Sequence, residues 1–475
     1  MKFIGRDREM KMLQAQYDKK DFVMLILYGR RRIGKTTLLN HFLEGKDAIF
    51  YTGIESKDSQ NRILFGSTVF HHFGGSGVEV NFSSYADILA YITEHAKARP
   101  EERLLLVLDE YPYLAQSEPA FSSLLQREID CEWANLNIML ILCGSSISFM
   151  EEEVLGEKSP LYGRRTAQLD LRAFDYKAAA EFVPDYSPEE KAIVFGVTGG
   201  VAKYLSLFDP AISLDQNLEE QFFSTSGFFY EEPQNLLREE FRDISLYYAV
   251  LSAIASGGNQ IGEIAGKTGF DTARVVQAVQ RLSSVRIVRR DVPILNETNK
   301  KLSQYVICDG MVRFWFRCVS RGISAIEQGY GAAFYERMIK PQLHDIMSLP
   351  FEDICRQYTL AQGLGNGLGV FLTKVGKWRG TDPVKKQPAD IDIVGINDFD
   401  HTAVVGECKF KNQPVGLAEY RLLSDRERLI HPYRTVRELL FSLGGFTEDL
   451  QDTASREDRI RLITMDDLYR CASRV

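Results

Sequence analysis

The chain has few cysteines for its length, seven in 475 residues, and no two of them form a CxxC pair. This argues against a disulfide framework and a cysteine-based zinc site, and favours reduced thiols in a cytoplasmic protein. Long apolar runs are also missing. Residues 104–108 and 138–143 are apolar but far too short to span a bilayer, so no membrane association is expected. The opening Met1-Lys-Phe-Ile-Gly-Arg lacks the apolar stretch of a secretory signal. There is no excess of positive charge, because the formal net charge is −8. A nucleic-acid partner would therefore have to be met by local basic patches. Internal repeats and low-complexity segments are absent as well. The 45% hydrophobic and 26% charged residues are those of a soluble globular protein, and the length predicts two to four domains.

Against these absences stands one complete motif. Gly29-Arg-Arg-Arg-Ile-Gly-Lys-Thr36 follows the strand-like run 22–28 and opens the helix-like run 37–43. In that context it reads as a phosphate-binding loop. Gly29 and Gly34 let the backbone wrap closely, so that the N–H groups of Arg30, Arg31, Arg32, Ile33 and Thr37 can line a polyphosphate. Lys35 reaches the β/γ-phosphates, Thr36 offers its hydroxyl to Mg²⁺, and the helix N-terminus favours the anion. ATP and Mg²⁺ are the expected ligands.

Up to about residue 170, apolar strands at 22–28, 47–52, 103–109, 137–143 and near 166–171 alternate with helical stretches, the pattern of a helix-covered parallel sheet. Residues 104–108 deliver Asp109 and Glu110 at a strand end. There Asp109 would hold the water shell of Mg²⁺ and Glu110 would polarise the attacking water. The next strand ends in Cys143-Gly-Ser-Ser146, where Ser145 or Ser146 either senses the γ-phosphate or caps a helix. In Pro160-Leu-Tyr-Gly-Arg-Arg165, Arg164 or Arg165 serves as an arginine finger, in cis or in trans, or forms an ordinary ion pair.

A helical stretch at 175–207 is broken at 184–188 and at Gly199-Gly200. Three helices over 246–255, 261–267 and 272–283, then strands at 285–290 and 302–307 joined by a polar turn at 296–301, predict a winged helix-turn-helix. Its recognition helix would turn Arg274, Gln277 and Arg281 to solvent. Arg286, Arg289, Arg290, Lys300 and Lys301 would add a basic edge for DNA phosphates, or the module would serve as a protein contact.

From about 335 a further α/β unit is expected: a helix at 335–359, the glycine-rich stretch 363–369, strands at 390–396 and 402–408, and a last strand at 459–464. Asp390 and Asp392 share one strand face, as do Glu407 and Lys409. Asp392 and Glu407 can bind Mg²⁺, with Glu352 on the preceding helix as a further carboxylate. Lys409 can orient water and neutralise a developing phosphorane. Lys374, Lys377, Trp378, Arg379, Lys385 and Lys386 form a candidate nucleic-acid edge, or a solvated loop.

Together, Phe3-Ile-Gly-Arg-Asp-Arg-Glu9, the phosphate loop, Leu108-Asp-Glu110, Gly144-Ser-Ser-Ile-Ser148 and 160–165 resemble the archaeal-type ATPases among the AAA+ and STAND-like NTPases. The resemblance covers roughly residues 1–240. It implies that Phe3, Ile4, Gly5 and Arg6 lie against adenine, and that Thr198-Gly-Gly-Val-Ala-Lys203 is a lid motif, with Ala202 where the family usually has proline. Residues 335–470, including Phe441-Ser-Leu-Gly-Gly-Phe-Thr447, resemble the PD-(D/E)xK nuclease-like domain, formerly of unknown function, that is often fused to these ATPases. The fold expected is thus multidomain α/β: an AAA+-type P-loop core (1–172), a helical lid (173–240), a winged helix (241–310), a linker (311–334) and a restriction-endonuclease-like α/β domain (335–475). ATP turnover would control DNA engagement or Mg²⁺-dependent cleavage. Alternatively, the chain is a nucleotide-driven switch acting through protein partners or self-association, with an inactive nuclease-like domain.

Overall fold

A computed structural model describes residues 3–75, 81–365 and 367–470. Asn366 of the glycine-rich stretch, the side chain of Lys300 and the last residues of the C-terminal domain lie outside the described residues. The chain divides into two units, Met1–Ala173 with Val201–Lys203, and Phe174–Gly200 with Tyr204–Val475.

The first unit is built on five strands: β1 (Val23–Tyr28), β2 (Ala48–Thr52), β3 (Leu104–Asp109), β4 (Ile138–Gly144) and β5 (Ala167–Asp170). Their order is β2-β3-β4-β1-β5, and every pairing is parallel. β1, β3 and β4 are buried along their whole length. That is why their sequences are continuous apolar runs rather than alternating ones. Met24, Ile26 and Tyr28 enter one core, while Val23, Leu25 and Leu27 enter the other. The sheet is thereby covered on both faces, and its active edge is the row of strand ends after Tyr28, Asp109 and Gly144.

In the second unit, the helix Pro188–Thr198 starts on a reciprocal Ser187–Glu190 capping box with proline in its first turn, and stops at Gly199 in the left-handed conformation. Helices Ser245–Ala255, Ile261–Thr268 and Thr272–Ser284 follow, then an antiparallel pair, β6 (Val288–Asp291) and β7 (Gln304–Ile307). Val275, Val279 and Leu282 are buried, as their spacing predicts. The strands are shorter than expected, and ahead of the polar turn Ile294 enters the core of the C-terminal sheet.

The segment 311–334, expected as a linker, is helical. Helix Gly310–Arg317 buries Met311, Val312, Phe314, Trp315 and Phe316. Its aromatic rings pack on Phe222 and Tyr248, so its apolar density makes it core. The last sheet has the order β12-β11-β10-β9-β8. Its strands are β8 (Lys374–Thr381), β9 (Pro388–Asn397), β10 (Thr402–Lys409), β11 (Arg434–Ser442) and β12 (Ile460–Thr464). The first two pairings, β8–β9 and β9–β10, are antiparallel, and β10–β11 and β11–β12 are parallel. The helix Leu343–Leu364 lies against β8, β9 and β10. β8 falls where sequence reading places a basic edge or loop.

Candidate functional site

The carboxyl end of the first sheet gathers the phosphate-loop residues. Gly29 has φ 155°, and a Cβ there would stand 2.4 Å from the carbonyl oxygen of Leu171. Only glycine lets the loop leave β1 at this point. Gly34, at φ 93°, caps the helix Lys35–Leu43, whose first N–H groups face the loop. Lys35 donates from Nζ to the carbonyls of Gly29 (2.9 Å) and Arg30 (3.1 Å), and its burial lowers its pKa. Thr36 donates its hydroxyl to Asp109 Oδ2 at 3.0 Å. This pairing of a loop hydroxyl with a strand-end carboxylate is the donor set that suits Mg²⁺ held largely through water.

Glu110 is the next residue and adopts φ 46°, an uncommon left-handed conformation for a glutamate. Its Oε2 accepts the hydroxyl of Ser145 at 2.8 Å. Of the two serines considered, Ser145 is therefore the one joined to the Asp109-Glu110 pair; it is 3% exposed. Arg31 donates to the Tyr113 hydroxyl (3.0 Å), the Arg32 carbonyl accepts from Lys203 N–H (3.0 Å), and Ile33 packs in the core. Thr37 is exposed.

At the N-terminus, Gly5 and Arg6 are both left-handed. Arg6 reaches the Ile33 carbonyl (3.2 Å), Ile4 is half-buried, and Phe3 stacks on His41 with ring centroids 4.0 Å apart. This ties the N-terminal segment to the phosphate loop and its helix. Arg164 is placed differently from Lys35. It forms a two-pronged pair with Asp130 (2.8 and 2.6 Å) and donates to the Pro160 and Tyr162 carbonyls. Arg165 donates to Gln168 at 2.5 Å.

The C-terminal sheet brings the second set together. Lys377 Nζ lies 3.1 Å from Asp392 Oδ1, 3.3 Å from both oxygens of Glu352 and 3.4 Å from Asp390. The other oxygen of Asp392 accepts the Cys408 N–H at 3.1 Å. Glu407 is paired with Lys409, and Arg426 stands 3.8 Å from both Glu407 and Asp390. Burial and the neighbouring Asp392 charge push the Glu352 carboxyl up to about 7, against the pull of Lys377. Glu407 is raised for the same two reasons. Among the described residues, no three His, Cys, Asp or Glu side chains form a group that could hold a metal ion. As arranged, the Glu352, Asp392 and Glu407 oxygens serve ammonium, guanidinium and backbone N–H partners, so they do not fit a divalent ion.

By sequence, Lys377 belongs to a candidate nucleic-acid edge or a solvated loop. In the structure it faces the acids instead, at a register shift where the β9 residues Asp392 and Ile393 stand opposite Lys377 alone. Its neighbours are also engaged: Lys374 with Glu297, Arg379 with Asp291 (2.8 Å) and Lys385 with Asp425 (2.7 Å), while Trp378 is buried. The hairpin basic edge is likewise shared out. Arg289 pairs with Asp353 (3.1 Å), and Arg290 donates to the Ser303 hydroxyl (2.7 Å). On the expected recognition helix, Arg281 donates to the Tyr247 hydroxyl (3.2 Å) and Arg274 covers the Phe270 ring.

A parallel sheet of this strand order, with a glycine loop, a buried lysine and a Thr–Asp pair at its carboxyl end, defines an ATP-binding P-loop ATPase. Comparison with known proteins agrees with that class. Residues 3–208 match the ATPase domain predominantly from Archaea, and residues 315–425 match a domain of archaeal and bacterial proteins of unknown function. An uncharacterized protein of Methanocaldococcus jannaschii is 30% identical over 418 residues, covering 86% of this chain and 88% of its own length. The chain belongs to this family of archaeal-type ATPases with that C-terminal domain. An uncharacterized ATP-binding protein of the same organism is 43% identical over 44 residues, 9% of this chain and 75% of its own. The Walker-type ATPase of Pyrococcus abyssi shares the fold, with TM-score 0.51 and 20% identity over 66% of this chain and 96% of its own. Among the described residues, no helix is long and apolar enough to cross a membrane.

Proposed function

We propose that the protein is a Mg²⁺-dependent ATPase whose nucleotide state controls a winged-helix module and a PD-(D/E)xK-like domain that engage DNA. The observation that carries the ATPase half is the joining of the Thr36–Asp109 and Ser145–Glu110 pairs beside Lys35. Mg²⁺, when bound, would supply charge neutralisation of the β- and γ-phosphates, held by Thr36 and Asp109. Lys35 exchanges its two loop carbonyls for phosphate oxygens. Glu110 orients a water for attack, and Ser145 fixes the carboxylate in that orientation.

The DNA half is supported by the three helices and hairpin over 245–307, and by the strand-borne Asp392, Glu407 and Lys409. A second reading is a switch that acts through protein partners, with a C-terminal domain that does not cut. Lys377 amid the acids favours it. The test is ATP turnover and DNA binding and cleavage by the full chain, with and without ATP, in Mg²⁺ and Mn²⁺. Lys35→Ala should lower turnover at least ~100-fold, the scale on which lost phosphate-charge stabilisation shows in turnover, and turnover that survives it refutes the phosphate-site assignment. Absence of both DNA binding and cleavage in every condition leaves the second reading.

A further inference from the structure

We propose that Lys377 is the resident cation of the C-terminal carboxylate cluster, an internal ammonium that occupies the place a divalent metal would need. This inference rests on the nuclease-like reading of that cluster and deepens it, by naming what keeps the site closed.

Three features of the chain converge on the ammonium. Its side chain is only 17% exposed and contacts carboxylates from two elements, Glu352 on the long helix and Asp390 and Asp392 on β9. Its backbone sits at the register shift between β8 and β9, where Lys377 alone stands opposite the two β9 residues Asp392 and Ile393, so the extra residue that sets Asp392 against the lysine belongs to β9. The segment between β6 and β7 contacts β8 at this point. Ile294 N–H donates to the Lys377 carbonyl at 2.8 Å, and the Ile294 side chain, 2% exposed, packs in the sheet core next to Gly376. Arg289 on β6, and Arg313 on the helix Gly310–Arg317 that follows the hairpin, bind Asp353, the residue after Glu352. The hairpin module thus grips both the lysine and the helix that carries one of its acids.

Charge leads to the same conclusion. Glu352, Asp390, Asp392 and Glu407 face Lys377, Lys409 and Arg426. The cluster is close to neutral as it stands, and a divalent ion added to it would meet three cations. Mg²⁺ also requires oxygens at about 2.0–2.1 Å in octahedral array. Both oxygens of Asp392 are already bound, one to the ammonium and one to the Cys408 N–H.

The experiment is Mn²⁺ binding to the nucleotide-free full chain, read by electron paramagnetic resonance of free Mn²⁺ and without DNA. Wild type should bind no more Mn²⁺ than Asp392→Asn. Lys377→Met should gain one site at least tenfold tighter than any in wild type, which the added Asp392→Asn change abolishes; Lys377→Arg should behave as wild type. The proposal is overturned if wild type already holds an Mn²⁺ that Asp392→Asn removes, or if folded Lys377→Met gains none. The wild-type comparison decides even where Lys377→Met does not fold. A Lys377→Met protein that binds Mn²⁺ but cuts no DNA counts against the nuclease reading alone. A wild type that binds Mn²⁺ through Asp392 and cuts DNA counts against this proposal alone.

Discussion

Replacing Glu352 by glutamine should change how the stability of the C-terminal sheet depends on pH. Burial and the Asp392 charge raise the Glu352 carboxyl from its ordinary 4.5 to about 7, with Lys377 and Arg356 pulling the other way. Between those two values the folded protein keeps a proton that the unfolded chain releases. Stability therefore falls as pH rises through this window, and levels off once both states are ionised. A rise of that size corresponds to roughly 3 kcal/mol. The substituted amide does not titrate, so Glu352→Gln lacks this loss. The carboxyl of Glu407 is raised in both proteins, so its contribution cancels in the comparison. Native-state hydrogen exchange of the paired β9 and β10 amides, Val394 and Val405 among them, reads the opening of this sheet directly. From about pH 4.5 to 8, protection in wild type should fall by about two decades relative to Glu352→Gln. If the two proteins track each other within threefold over that range, or if wild type gains protection as pH rises, the assigned environment of Glu352 is wrong.

The ATPase site yields two further expectations. Ser145→Ala removes the hydroxyl that holds Glu110, a hydrogen bond to a charged group worth about 1.5–3 kcal/mol. Turnover should fall about tenfold or more while ATP affinity stays within threefold, as steady-state kinetics and equilibrium titration can establish; unchanged turnover would separate Ser145 from the chemistry. Arg164→Ala should leave turnover within twofold at any protein concentration, because its guanidinium is committed to Asp130 and two carbonyls. A loss beyond tenfold, measured by phosphate release, would return Arg164 to the role of an arginine finger.

The ATPase sheet is legible in the sequence because its signals are local. A strand buried on both faces is written as an apolar run, and a phosphate loop has fixed spacing, so β1 to β5 fall within a few residues of their expected bounds. The Thr36–Asp109 pair follows from those two motifs. Sequence alone does not separate Ser145 from Ser146, because the choice depends on which hydroxyl faces Glu110 across neighbouring strand ends. Nor does it assign Arg164, since its partner Asp130 lies on a helix 34 residues earlier. The segment 311–334 reads as a linker because the helices there are short, and their burial depends on rings from distant segments, such as Phe222.

Lys377 is the hardest residue to place, and the reason is physical. A lysine among Lys374, Arg379, Lys385 and Lys386 looks like one member of a solvated basic face, and alternation along a strand assigns its direction by parity. What parity leaves out is the partner strand: the extra residue of the bulge lies on β9, where Asp392 and Ile393 stand opposite Lys377 alone, and no sequence signal announces it. The Lys377 backbone is also held from outside the strand, by the N–H of Ile294. The two residues meet only in three dimensions: Ile294 is buried because the sheet receives it, and Lys377 faces inward because the carboxylates neutralise it. The sequence-legible acids, Asp392 and Glu407, suggest an open metal site for the same reason, since nothing next to them in the chain shows that Lys377 is held against them.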